Sequence, residues 1–107
     1  MAETSLIVSK GLGGCVTRKR IVFFGRVQGV GFRYHARYAA GLYGCTGWAR
    51  NEDDGSVTME IQRTEEQIDK VILAIQRQKF IRVDGMDVQI LPINESERGF
   101  RTVYTSE

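Results

Sequence analysis

The sequence is poor in the residues that bind transition metals or form disulfides. Its 107 residues include two cysteines, Cys15 and Cys45, and one histidine, His35. The cysteines form no Cys-x-x-Cys pair, and a structural zinc site needs four such ligands. A disulfide between them is possible, but free thiols are expected because the sequence shows no export signal. We therefore expect a protein that uses neither a metal nor another cofactor.

Long apolar runs and an excess of charge of one sign are also missing. The longest apolar run near the N-terminus, residues 6–8, is far too short to cross a membrane. The 15 Lys and Arg residues against 13 Asp and Glu residues give a net charge of +2, with both signs mixed along the chain. Dedicated nucleic-acid-binding proteins instead gather basic residues into a stripe. The sequence thus predicts a cytoplasmic protein that binds neither a membrane nor nucleic acid.

The length and composition predict one domain preceded by a short leader. Hydrophobic residues make up 42% of the chain, enough for one modest core. Residues 1–16 contain three glycines and little periodicity, so we expect a flexible N-terminal leader there and the folded domain over residues 17–107. The chain has no long heptad repeat or obvious interface stripe, and we expect a monomer.

Apolar spacing predicts the first half of the secondary structure. A β-branched and aromatic run at 21–24 indicates a strand, and apolar residues at helical spacing from Phe32 to about Tyr43 indicate a helix. A strand around 46–50 then leads through a turn into an alternating strand at 57–62. Asp-Gly at 54–55 is a strong signal for a hairpin turn between them.

The second half of the pattern completes a recognisable plan. Thr64 and Gln67 form a capping box that opens a second helix, and alternating apolar residues at 86–90 indicate a fourth strand. A fifth strand is expected at 100–105. The order β-α-β-β-α-β plus a C-terminal strand predicts an α+β fold: a ferredoxin-like α/β sandwich, with two helices on one face of a mainly antiparallel sheet. The buried face of the second helix is predicted to consist of Ile68, Val71, Ile72 and Ile75.

The loop between the first strand and the first helix is the first candidate site. Residues 25–31 contain three glycines, so the backbone must adopt angles that a Cβ would oppose. Successive N–H groups in such a loop, with the unpaired N–H groups of the first helical turn, can bind phosphate. Arg33, in that first turn, can grip two oxygens of a phosphoryl group. Each feature alone could be a tight connection or a surface arginine, but their combination favours phosphate binding.

Asn51, at the end of the second strand, is the second candidate. The first and second strands of a split β-α-β unit run parallel, so their C-terminal ends meet at one edge of the sheet. An asparagine amide there can accept a hydrogen bond from water and donate one to a phosphate oxygen, which would hold the water in line with phosphorus. The alternative interpretation of Asn51 is a turn-forming residue.

Three other features are interpreted as structural. His35 lies two residues beyond Arg33, about 200° around the helix and nearly on its opposite side. The single histidine has no evident partner, so neither Ser–His–Asp nor Cys–His catalysis is supported. The carboxylates at 52–54 are expected to point into water rather than to hold Mg²⁺. Trp48 is expected in the core.

Two segments of the chain resemble the signature motifs of the acylphosphatase family. Residues 25–33 read Gly-Arg-Val-Gln-Gly-Val-Gly-Phe-Arg and resemble the first motif. Residues 47–51 (Gly-Trp-Ala-Arg-Asn) with 54–57 (Asp-Gly-Ser-Val) resemble the second. The resemblance extends over about residues 17–104 and implies a hydrolase of small acyl phosphates that works without a metal.

The resemblance also implies roles for individual residues. Arg33 would bind the phosphoryl group and Asn51 would position the attacking water, whose proton the substrate phosphate would accept. The loop amides that would bind phosphate belong to Val27, Gln28, Gly29, Val30, Gly31 and Phe32.

Two other functions are compatible with this class of fold. Similar domains open large hydrogenase-maturation proteins that handle carbamoyl phosphate, so the alternative is a non-catalytic module that binds phosphate or carbamoyl phosphate. An RNA-binding domain would need exposed aromatic residues on the middle strands. Phe23 and Phe24 are adjacent, so at most one can face outward, and RNA binding is disfavoured. The physiological acyl group cannot be read from the sequence.

Overall fold

The computed structural model describes residues 14–104, which form a five-stranded sheet and two helices. Within that range no helix has the length and apolar character needed to cross a membrane. The expected leader lies outside the described residues except for 14–16, and the first strand begins at Val16. In chain order, the elements are β1 (Val16–Arg26), α1 (Phe32–Leu42), β2 (Thr46–Asn51), β3 (Val57–Thr64), α2 (Glu65–Gln76), β4 (Arg82–Leu91) and β5 (Phe100–Val103).

The sheet has the strand order β4-β1-β3-β2-β5 and is mainly antiparallel. β3 runs antiparallel to both β1 and β2, so those two strands are parallel to each other. Among the described strands, β5 and β2 form the one parallel pair, and the other neighbouring strands are antiparallel. The loop after β1 and the turn after β2 therefore share one edge of the sheet, as predicted. The predicted ferredoxin-like α+β fold is confirmed.

The core lies between the helices and one face of the sheet. Alternate residues of the central strands, such as Phe23 and Met59, are fully buried there. The ring of Phe23 lies 4.8 Å from that of Phe32, at an interplanar angle of 60°, which anchors the start of α1 to β1. From the predicted face of α2, Ile72 is only half-buried. The remaining helix residues in the core are Ala36, Ala39, Ala40, Ile68, Val71 and Ile75.

Helix α2 begins with the capping box that the sequence predicted. The Thr64 hydroxyl accepts a hydrogen bond from the Gln67 N–H at 3.2 Å, and the Gln67 side-chain oxygen accepts one from the Thr64 N–H at 3.4 Å. The Gln67 amide nitrogen also donates to the Tyr43 carbonyl at 2.9 Å. The same residue therefore starts α2 and joins it to the end of α1.

The opposite face of the sheet carries a buried polar network. β4 and β5 lie at opposite edges, so the 92–99 loop that joins them must cross this face. Arg18, only 4% exposed, donates hydrogen bonds to Glu60 at 2.9 Å and to Glu97 of that loop at 2.7 Å. The Asn94 backbone exchanges hydrogen bonds with the Gln62 side chain. The network thus fastens the crossing loop to the sheet.

The expectation that Trp48 belongs to the core is wrong. Ala49 is the fully buried core residue of β2, and Trp48 is half-buried on the other face of the sheet. There its ring stacks beneath Arg50, whose guanidinium carbon lies 5.0 Å from the ring centroid. Alternation along a strand separates neighbours onto two faces, but it does not say which face the helices cover.

Candidate active site

The loop between β1 and α1 has the backbone geometry that its glycines indicate. Gly29 and Gly31 adopt φ angles of 74° and 84°, a region that residues with a Cβ rarely occupy. Gly31 is also the N-cap of α1 and offers no side-chain acceptor to the helix. The first turn of α1 contains no acidic residue either. The partial positive charge at this helix start is therefore not neutralised locally and suits an anion.

The loop is fixed to the core at both of its ends. Val27 is 1% exposed and Phe32 is 2% exposed, and both belong to the core cluster. Their side chains face inward, so only their backbone groups are available to a ligand at the loop. Gly29, between them, is exposed at the surface. This arrangement suits a loop that would bind phosphate through its backbone.

Arg33 is held by the end of β5. Its Nη1 donates to the Val103 carbonyl at 3.4 Å, and its guanidinium carbon lies 4.9 Å from the centre of the Tyr104 ring. The side chain is half-buried. The contacts of Arg33 with Val103 and Tyr104 were not predicted from the sequence. No local signal could have indicated them, because their position depends on β5 pairing with β2.

Asn51 lies at the same edge of the sheet as the loop. It is the last residue of β2, it is half-buried, and it pairs with Val57 of β3. The turn that follows it is hydrogen bonded to the loop by Gln28, whose side-chain nitrogen donates to the carbonyls of Glu52 and Ser56. The structure thus brings the loop, the start of α1 and the turn after Asn51 together. The contact made by the Gln28 side chain was not predicted from the sequence.

Two of the three acidic residues of the β2–β3 turn make contacts with nearby residues of the same hairpin. Asp54 accepts hydrogen bonds from the Ser56 hydroxyl at 2.6 Å and the Ser56 N–H at 2.9 Å, and these bonds lower the pKa of its carboxyl group. Glu52 pairs with Arg50 at 3.0 Å. Among the residues described, no three His, Cys, Asp or Glu side chains come together as metal ligands would.

His35 packs against the loop rather than facing away from it. Its ring atoms Cδ2 and Nε2 lie 3.5 and 3.6 Å from the position that a Cβ on Gly31 would occupy. The ring also meets the Tyr34 ring edge-on, with 5.2 Å between centroids. His35 is rotated around the helix from Arg33 as expected. Its side chain nevertheless reaches the loop, because Gly31 lies one helical turn before it. The backbone N–H of His35 donates a hydrogen bond to the Gly31 carbonyl at 3.0 Å.

Neither cysteine is placed to act as a nucleophile at the candidate site. Cys45 is buried at the start of β2 and Cys15 is exposed near the start of β1, and both are free thiols. Burial raises the pKa of the Cys45 thiol to about 11, so this thiol stays protonated and unreactive at neutral pH.

A surface groove of about 610 Å³ lies along the outer face of α1, apart from this arrangement. None of the predicted site residues lines it. It is lined by Tyr34, Arg37, Tyr38, Gly41, Leu42 and Phe100.

Comparison with known proteins points to one family. The model of the acylphosphatase family matches residues 19–102. An acylphosphatase from Clostridium acetobutylicum is 38% identical over 88 residues, which cover 81% of this chain and 97% of the relative. The crystal structure of an acylphosphatase from Bacillus subtilis superposes with a TM-score of 0.75 at 32% identity, covering 82% of this chain and 99% of that one.

A larger protein shares the fold alone. The structure of full-length HypF in its phosphate- and nucleotide-bound form superposes with a TM-score of 0.74 at 24% identity. The match covers 86% of this chain but only 13% of HypF.

Proposed function

This chain belongs to the acylphosphatase family, and we propose that it hydrolyses the carboxyl–phosphate bond of small acyl phosphates to a carboxylate and inorganic phosphate. One observation carries the proposal. The Gly-rich loop before α1 and the turn after Asn51 meet at one edge of the sheet and are joined by two hydrogen bonds from Gln28. A phosphate-binding loop and a group able to orient water are thereby adjacent.

The loop and Arg33 bind the phosphoryl group in this mechanism. The backbone amides of Val27, Gln28, Gly29, Val30, Gly31 and Phe32 surround the phosphoryl oxygens. The open start of α1 adds a favourable partial charge. Arg33 contributes two N–H donors in a fixed fork, which matches two phosphoryl oxygens better than an ammonium group would.

Asn51 orients the water that attacks phosphorus. Its amide oxygen accepts a hydrogen bond from the water, and its amide nitrogen donates to a phosphoryl oxygen. The water oxygen forms a bond to phosphorus as the bond from phosphorus to the carboxyl oxygen breaks, and that electron pair leaves with the carboxylate. A phosphoryl oxygen accepts a proton of the water.

The hydrolysis of an acyl phosphate requires little acid or base catalysis by the protein. A carboxylate has a low basicity, with a conjugate-acid pKa of about 4, and can leave without being protonated first. The phosphoryl oxygens themselves accept the proton of the water. The protein supplies binding and orientation, which for phosphoryl transfer account for most of the catalysis.

We further propose that the enzyme works as a monomer in the cytoplasm. The two free cysteines, of which Cys15 is exposed, support a reducing compartment. Size-exclusion chromatography coupled to light scattering tests the monomeric state.

The deciding experiment is the hydrolysis of benzoyl phosphate by the purified protein in the presence of EDTA. We expect turnover by the wild type and a loss of about 10²- to 10³-fold in Asn51→Ala, the usual effect of removing one preorganised hydrogen-bonding group. Asn94→Ala, in the loop on the opposite face of the sheet, is the matched control and should retain full activity. Folded wild-type protein without turnover would contradict the proposal and favour a phosphate- or carbamoyl-phosphate-binding module.

A further inference from the structure

We infer that the Gln28 side chain is a positioning residue, which sets the distance between the phosphate-binding loop and Asn51. The inference rests on the proposed function and assigns to Gln28 a part beyond that of its backbone amide. Gln28 acts through Asn51, and its side chain does not itself contact the substrate.

The hydrogen bonds of Gln28 are well suited to such a tether. Its side-chain nitrogen donates to the Glu52 carbonyl at 2.7 Å and to the Ser56 carbonyl at 2.8 Å. A primary amide nitrogen carries two hydrogens. One hydrogen goes to each carbonyl, so the donor capacity of this nitrogen is used entirely by the turn.

The two acceptors are the carbonyls that close the β2–β3 turn. The Glu52 N–H donates to the Ser56 carbonyl at 2.8 Å, and the Gly55 N–H donates to the Glu52 carbonyl at 3.2 Å. Glu52 directly follows Asn51 in the chain. The Gln28 amide therefore holds the turn at the point where its two ends meet, one residue from the group proposed to orient water.

Strand pairing cannot fix this distance by itself. The pairing of β1 with β3 reaches only as far as Phe23 and Val57, and the pairing of β2 with β3 ends at Asn51 and the same Val57. Gln28 lies five residues beyond Phe23, past the end of that pairing. Its two hydrogen bonds connect the segment after β1 with the turn after β2, beyond the point where the pairing of either strand with β3 has ended.

Loss of the tether should affect the chemical step more than phosphate binding. The loop stays anchored through Val27 and Phe32 in the core, and Arg33 stays on α1, so phosphate affinity is retained. The position of Asn51 relative to phosphorus becomes less well defined. A displacement of about 1 Å at a reacting centre can lower the rate about 10²-fold.

The test is Gln28→Met, which keeps the length of the side chain and removes both donors. We expect kcat for benzoyl phosphate to fall about 10- to 100-fold, while the inhibition constant of inorganic phosphate changes no more than about twofold. Gln78→Met is the matched control, because the Gln78 side chain also donates to a backbone carbonyl, that of Ala74 at 3.2 Å, but at the end of α2. This control should leave kcat unchanged.

A double-mutant cycle with Asn51→Ala separates positioning from general stability. If Gln28 acts through Asn51, Gln28→Met should cause no further loss of kcat in the Asn51→Ala background. Independent losses in the two variants would overturn the inference. So would an unchanged kcat in Gln28→Met, or a phosphate inhibition constant that weakens in proportion to the loss of kcat.

An NMR titration with inorganic phosphate keeps this test independent of turnover. An inactive wild type would contradict the proposed function. The titration of that protein would still show whether phosphate binding at the loop changes the environment of the Asn51 side chain. We expect phosphate to shift the loop amides in both proteins, and to shift the Asn51 side-chain amide much less in Gln28→Met than in the wild type. Equal shifts of the Asn51 side-chain amide in both proteins would overturn the inference that Gln28 positions Asn51.

Discussion

Arg33 shows how a single side chain is oriented by a part of the chain far from it in sequence. The Val103 carbonyl accepts its hydrogen bond at 3.4 Å, and the Tyr104 ring lies 4.9 Å from the guanidinium carbon. These contacts restrict the rotamers of a long side chain in the folded protein. Ordering such a side chain costs about 0.5–1.5 kcal/mol at a binding site. If Arg33 binds phosphate as proposed, part of that free-energy cost has already been incurred when the protein folds.

We expect Arg33→Lys to remove most of the activity although it keeps the positive charge. An ammonium group cannot reproduce the planar fork on two phosphoryl oxygens, nor the contact with the Tyr104 ring. The expected loss in kcat/KM for benzoyl phosphate is about 10²-fold or more. Arg37→Lys, one turn further along α1, is the control and should behave like the wild type. Near-normal kinetics of Arg33→Lys would contradict the assigned role.

At the scale of elements, the two helices begin in opposite ways. α1 starts at Gly31, with a positive φ, no side-chain cap and no acidic residue in its first turn. α2 starts at Thr64 with a complete capping box, followed by Glu65 and Glu66. At the start of α2, the Gln67 N–H has an acceptor in Thr64 and two acidic residues offset the partial positive charge, whereas the start of α1 has neither a side-chain cap nor an acidic residue. This contrast agrees with the phosphate-binding role proposed for the start of α1.

This contrast predicts that Thr64→Ala lowers stability without changing activity. The Thr64 hydroxyl accepts the Gln67 N–H at 3.2 Å, and the loss of such a cap costs about 1 kcal/mol. Urea denaturation measures the change, and benzoyl phosphate hydrolysis checks the activity. Thr64→Ser, which keeps the hydroxyl, should stay close to the wild type. Equal destabilisation by both substitutions would show that the cap is not the cause.

At the scale of the whole molecule, the two faces of the sheet are built differently. One face is covered by both helices and is apolar. The other face is crossed by the 92–99 loop and holds Arg18 between Glu60 and Glu97. Burial alone would raise the pKa of Glu97, but hydrogen bonding, chiefly from Arg18, and the positive charges of Arg18 and Arg101 together outweigh burial and lower that pKa below its usual range. The fold therefore favours the ionised form of this carboxyl group.

The lowered pKa predicts a loss of stability in acid. The contribution of Glu97 is fully present above the pKa of an unfolded glutamate, about 4.3, and is lost as the pH falls through the lower pKa of the folded protein. Chemical denaturation as a function of pH should show a smaller decrease below about pH 4 in Glu97→Gln than in the wild type. Glu95→Gln, exposed in the same loop, is the control. Identical pH profiles of the wild type and Glu97→Gln would refute this assignment.

Local signals were enough to predict the elements and the family. The apolar periods of α1 and α2, the capping box at Thr64 and the alternation in β3 act between neighbours in the chain, so the sequence shows them directly. The glycines of the loop and the motif around Asn51 also lie in short continuous segments. The family assignment that these segments indicated is confirmed by the match over residues 19–102. The roles of Arg33 and Asn51 remain predictions.

The order of the elements, the Gly-rich loop and the residues proposed for phosphate chemistry each depend on residues a few positions apart, so the sequence shows them directly. Three other features arise only when the whole chain folds: Trp48 lies away from the helices, β5 contacts Arg33, and Gln28 joins the loop to the turn after Asn51. These contacts join residues 24 to 70 positions apart, or depend on which face of the sheet the helices cover. Strand pairing and the packing of the whole chain determine these features. They therefore cannot be predicted from any short segment of the sequence.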